Sequence, residues 1–139
     1  METEYKAYKS LSIPSSVEHI VEAEALVDHV CSTLPIKEDA YGNVLIAVTE
    51  AVNNAIVHGN ANDTSKKVHL EVLDHPNKVE IIIVDNGLGF DYNNLPDPTA
   101  PENLEKENGR GIFLMKSLSD EVVFENGGKE VKLSFAKEL

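Results

Sequence analysis

The sequence predicts an α+β domain, a two-layer α/β sandwich in which helices cover one face of a mixed, mostly antiparallel sheet. Three observations carry that prediction. The patterns run β-α-α-β-β-loop-α-β-β, with strands in consecutive pairs rather than alternating with helices. Apolar residues recur at helical spacing in Ile20, Ala23, Val27, Val30 and Leu34, but at every second position in Val68, Leu70 and Val72. No G-x-G-x-x-G follows the first strand and no G-x-x-x-x-G-K-[ST] occurs, which excludes the Rossmann and P-loop arrangements.

Taken in order, residues 4–13 alternate loosely around Tyr5, Tyr8, Leu11 and Ile13 and read as a first strand. Ser15 and Glu18 stand at capping-box spacing, so a helix is expected over residues 16–34, closed by Pro35. A second helix is expected from Lys37 to Val57 or His58. Asn43, Ala47, Glu50, Asn54 and His58 fall on one of its faces, and Leu45, Val48, Val52, Ala55 and Ile56 on the other. The apolar side can pack on a sheet, leaving a carboxylate and carboxamides presented from a rigid element. Adjacent Asn residues are weak helix formers, so this face reads as more than a soluble surface, although a polar stripe ending in a glycine cap is the plain alternative. Gly59 is read as the C′ glycine that ends the helix.

Residues 60–66 are a polar loop, and strands follow over 67–73 and 78–84, joined across Asp74-His75-Pro76-Asn77. The unbroken run Ile81-Ile82-Ile83-Val84 marks a central strand. Residues 91–108 contain Pro96, Pro98, Pro101 and several asparagines, and a loop of that length inside one domain reads as a lid. Gly109-Arg110-Gly111 ends it at the start of a short helix beginning with Ile112. A hairpin over 121–125 and 130–135, turning at Asn126-Gly127-Gly128, closes the chain.

The chain of 139 residues reads as one domain, 1–139, long enough to hide roughly two-thirds of its unfolded surface. No apolar run approaches the ~20 residues that span a bilayer, and the N-terminus lacks the regions of a signal peptide. The single cysteine, Cys31, permits no internal disulfide, and with these features it points to the cytoplasm and away from membranes. A net charge of −12 without clustered Lys or Arg argues against direct nucleic-acid binding. His19, His29 and Cys31 are read as packing and surface residues, too few for a metal site.

Three stretches converge on one chemistry. Asp85-Asn86-Gly87-Leu88-Gly89-Phe90 lies where a central strand runs out. An aspartate there can accept from an exocyclic amine such as that of adenine, and Gly87 and Gly89 let the backbone approach a planar ligand. Gly109 and Gly111 at a helix N-terminus leave N–H groups for phosphate oxygens. Asn54 offers a neutral oxygen of the kind magnesium prefers. Glu50, one helical turn before it, is placed to accept a nucleophile's proton. Taken singly, Glu50 could be a solvated helix residue and Arg110 a surface charge.

In order and spacing, these stretches resemble the GHKL ATP-binding superfamily, and within it the stand-alone anti-sigma-factor serine/threonine kinases of bacterial partner switching. Glu50 to Gly59 matches the family's N box, Asp85 to Phe90 its G1 box and Gly109 to Met115 its G2 box, and residues 97–108 look like the subfamily's lid. The resemblance implies ATP and Mg²⁺ as cofactors, with Asn54 on the metal and Asp85 on the adenine amine. Gly87, Gly89, Gly109, Arg110 and Gly111 would line the nucleotide, and Glu50 would orient the attacking hydroxyl. It also implies a sigma factor or similar regulator as partner, an anti-anti-sigma protein as phosphoacceptor, and the first strand and helix as a surface for docking or for a homodimer. No phosphoacceptor histidine domain precedes the fold, so the acceptor is expected on another protein. One departure stands out: where the subfamily carries a threonine after the last hairpin's glycine, this chain reads Gly128-Lys129-Glu130-Val131. That departure keeps open an alternative, a nucleotide-gated binding module without phosphate transfer.

Overall fold

A computed structural model describes residues 5–86 and 107–138 and, for residues 107–109, the backbone alone. Gly87, Gly89 and residues 91–106 of the expected lid lie outside the described residues. Among the described residues, five strands form one sheet: β1 Lys6–Pro14, β2 Lys67–Asp74, β3 Lys78–Val84, β4 Glu121–Glu125 and β5 Glu130–Ala136. Three helices accompany them there: α1 Ile20–Thr33, α2 Tyr41–Asn54 and α3 Glu107–Leu118.

The strand order is β1-β2-β3-β5-β4, and every pairing is antiparallel. The mixed character expected from the sequence is therefore absent among the described residues. The reason is topological. The connection through α3 brings β4 back in the direction of β3, which could have made a parallel pair, but the hairpin then folds β5 between them.

Register places the apolar residues in rows. Leu11, Leu70, Ile83, Val131 and Phe124 stand opposite one another across all five strands. Val68, Leu70 and Val72 of β2, Val79, Ile81 and Ile83 of β3, and Val131, Leu133 and Phe135 of β5 are buried. Each such side chain contributes about 1.5–3 kcal/mol by leaving water. Ile82 and Val84 are only half-buried; the unbroken apolar run marks the central strand, but only alternate side chains reach the helices.

Helix α1 contributes Ala23, Leu26, Val27 and Val30 to the core, and α2 contributes Val44, Ala47, Val48, Ala51 and Val52. The expected first helix begins as a 3-10 turn, Val17–His19, whose N-cap Ser16 makes no side-chain cap bond. The capping box read from Ser15 and Glu18 is not formed. Ser15 is fully buried and its hydroxyl donates instead to the Lys66 carbonyl at 2.7 Å. A buried hydroxyl has no water to fall back on, so a tertiary acceptor wins over a local one. The expected second helix is also subdivided, with a 3-10 turn at Glu38–Ala40, then α2, then a π turn at Ala55–Gly59.

Candidate functional site

The polar face of α2 is not uniformly exposed. Asn43 and His58 at its ends are exposed, Glu50 is half-buried, and Ala47 and Asn54 are buried. Helix α3 packs across the middle of this face, sealed by Ile112 and Met115. Gly111 makes the close approach possible. A Cβ on it would stand 2.9 Å from Glu50 Oε1 and 3.4 Å from Asn54 Oδ1. Glu50, Asn54 and Gly111 are thus brought together at one point.

Among the described residues, Asn54 Oδ1 is buried and accepts no hydrogen bond. An acceptor in that state costs about 1–3 kcal/mol, so it points to a partner beyond the described residues. A hard cation preferring oxygen fits it. Among the described residues no cluster of three or more His, Cys, Asp or Glu could hold a metal.

Asp85 follows β3 and is buried. Its N–H donates to the Lys129 carbonyl at 2.9 Å. The final hairpin thus contacts Asp85 through main chain, at the position where a hydroxyl was missed in the sequence. Asn126, Gly127 and Gly128 adopt φ of 54°, 67° and 92° to make that turn, a conformation that glycine adopts without strain.

Gly59 does not end α2 as a left-handed cap. The chain widens into the π turn, with the Asn60 N–H donating to the Ala55 carbonyl at 2.8 Å. The left-handed residues are Ala61 and Asn62, and the Asn62 N–H closes the helix end on the Ile56 carbonyl. Gly59 is small for another reason: a Cβ there would lie 2.5 Å from Asp85 Cγ and 2.8 Å from Oδ1. The next residue, Asn60, is buried and joins four segments. Its Oδ1 accepts from the Asn86 N–H at 2.9 Å, and its Nδ2 donates to Ser15 Oγ at 2.8 Å and to the Lys67 carbonyl at 3.1 Å. Gly59, Asn60 and Ser15 were not singled out as site residues; their neighbours are distant in sequence, so no local pattern marks them.

Between these groups lies a narrow cleft with room for about 20 Å³, roughly the space of one water. Apolar Ala51, Ala55, Ile83 and Met115 line it together with the polar Asn54, Asp85 and Lys129. That lining sets a carboxylate among apolar walls. Helix α3 starts at Glu107, five residues before the expected Ile112. Gly109 and the exposed Arg110 therefore lie in its first turn. Gly111, the fifth residue, makes the close approach to Glu50.

Two groups away from the cleft have raised pKa values. At the junction of α1 and α2, the Tyr41 hydroxyl donates to Asp28 Oδ1, and that hydrogen bond raises its pKa. Burial, and then the Asp28 charge, push the Cys31 thiol up as well. Among the described residues no helix is long and apolar enough to cross a membrane.

Comparison with known proteins follows the same lines. The histidine kinase-like ATPase domain family matches residues 13–135. A serine-protein kinase RsbW of Staphylococcus aureus (strain JH9) is 31% identical over 134 residues, covering 89% of this chain and 83% of that protein. One of Bacillus cereus (strain AH820) is 28% identical over 118 residues, covering 81% and 73%. Among solved structures, a Mycobacterium tuberculosis chain containing RsbU and RsbW domains superposes with a TM-score of 0.61 at 14% identity. That match covers 95% of this chain and 32% of the other, so this chain spans about a third of its length and shares its fold.

Proposed function

The chain belongs to the histidine kinase-like ATPase family, beside the RsbW serine-protein kinases, and from that premise we propose that it is an ATP-dependent anti-sigma factor with protein serine/threonine kinase activity. Its substrate would be an anti-anti-sigma antagonist, and its second partner a sigma factor or similar regulator, in the cytoplasm. Residues 1–139 would form one ATP-binding domain.

The observation that carries the reading is the buried, unpartnered Asn54 Oδ1 beside the Glu50 carboxylate, against a helix whose Gly111 has no side chain to fill the gap. Asn54 would hold Mg²⁺, and Asp85 would accept from the adenine amine in the apolar cleft. Gly87, Gly89, Gly109, Arg110 and Gly111 would border the nucleotide and its phosphates, with the first turn of α3 offering N–H groups and the positive end of its dipole. Glu50 would orient the acceptor hydroxyl and take its proton. When bound, Mg²⁺ would neutralise charge on the transferring phosphoryl group. The chain's own work is then mainly positioning.

Incubation with γ-labelled ATP, Mg²⁺ and purified anti-anti-sigma proteins tests the proposal. Label on serine or threonine of one such protein is expected. Nucleotide binding without label on any of them would sink the kinase reading in favour of a nucleotide-gated module.

A further inference from the structure

The contact between Gly59 and Asp85 carries an inference that deepens the proposed nucleotide site and rests on it. We infer that Gly59, held in the π turn Ala55–Gly59, is a positioning residue that sets the Asp85 carboxylate for base recognition. Three observations support this. Gly59 does not have the left-handed φ that would require glycine, so its lack of a side chain serves space rather than conformation. The space in question belongs to Asp85, whose Cγ and Oδ1 would lie 2.5 and 2.8 Å from an added Cβ, with Oδ2 nearer still. Real Cβ atoms essentially never approach so closely, so an alanine at this position must displace the carboxylate or the turn. Asp85 has little room to yield, because its own N–H is tied to the Lys129 carbonyl. On its other side, Asn86 is tied to Asn60 Oδ1.

The π turn is the device that brings Gly59 this near. An α-helical continuation would wind tighter. The widened turn, closed by the Asn60 N–H on the Ala55 carbonyl, also delivers Asn60 to its three partners. One local irregularity thus sets both the space beside the carboxylate and the main chain that follows it. Single π turns of this kind occur often at functional sites.

The test compares ATP with inosine triphosphate, which has a carbonyl where adenine has its amine. Wild-type protein reading the amine through Asp85 should prefer ATP. Gly59→Ala should weaken ATP about tenfold to a hundredfold, as expected for a lost hydrogen bond to a charged group. Inosine triphosphate should stay nearly unchanged, so that the preference collapses. Gly59→Ala with the preference intact would overturn the inference alone. Wild type binding neither nucleotide would overturn the site reading and this inference together. A thermal cycle covers poor folding of the single variant: Gly59→Ala should lower the unfolding midpoint in the wild-type background but not in the Asp85→Ala background. Equal losses in both backgrounds would refute the contact as the cause.

Discussion

Asn54→Ala separates stability from function at the proposed metal ligand. In most buried positions truncation to alanine destabilises, but here the deleted group includes an acceptor that has no donor. Removing it recovers about 1–3 kcal/mol of desolvation. Alanine's better helix propensity adds up to about 0.7 kcal/mol in α2. Against these stands a gap where the carboxamide packed, worth roughly 1–2 kcal/mol. The nucleotide-free variant should therefore lie between about 1 kcal/mol less and about 2.7 kcal/mol more stable than wild type, a rise of up to roughly 8 °C for a chain this size. With Mg-ATP at a hundred times its Kd, wild type should gain about 2.7 kcal/mol by mass action, while the variant loses the magnesium-dependent share. Thermal unfolding with and without nucleotide, each with Mg²⁺ and with EDTA, reads both quantities. A nucleotide-free midpoint lowered by more than about 4 °C, beyond that loss of about 1 kcal/mol, would refute the unpartnered oxygen. A magnesium-dependent rise equal to wild type would remove Asn54 as ligand.

Glu50→Gln should keep nucleotide affinity but lose about 10²–10⁴ in transfer rate, the range for a general base; full transfer in a single-turnover assay would end that role. Gly111→Ala should change urea stability little, because its helix-propensity gain offsets the 2.9 Å approach to Glu50 Oε1, yet slow transfer by moving that carboxylate; unaltered transfer would argue against the contact. Ser15→Ala should cost about 1–3 kcal/mol in urea unfolding, since it removes the bond to the Lys66 carbonyl and the acceptor for Asn60 Nδ2; a neutral result would show that the hydroxyl is dispensable. Because burial raises the Cys31 pKa, its thiolate should be scarcer at pH 8 than that of an unfolded thiol, and alkylation by iodoacetamide slower than in urea. Equal rates would contradict that environment.

Much of the architecture was legible because it rests on periodicity. Alternation in Val68, Leu70 and Val72 and the turn at Asn126-Gly127-Gly128 are written locally, and the helix spacing from Ile20 to Val30 is equally direct. The convergence of Glu50, Asn54 and Gly111 was legible only as motif order, which said nothing of how they meet. Residues whose reasons are tertiary were misread. Gly59 has the look of a helix cap, but its constraint is a carboxylate 26 positions later in the chain. Ser15 has the spacing of a capping box, but its acceptor lies on the approach to β2. The burial of Asn54 could not be read from α2 alone, because it comes from the packing of α3.

The most direct test of the central claim is a calorimetric titration of the purified protein with ADP and with a non-hydrolysable ATP analogue, with and without Mg²⁺. The account predicts saturable one-to-one binding that tightens with Mg²⁺ in wild type and loses that dependence in Asn54→Ala. Absence of binding at millimolar nucleotide would contradict it.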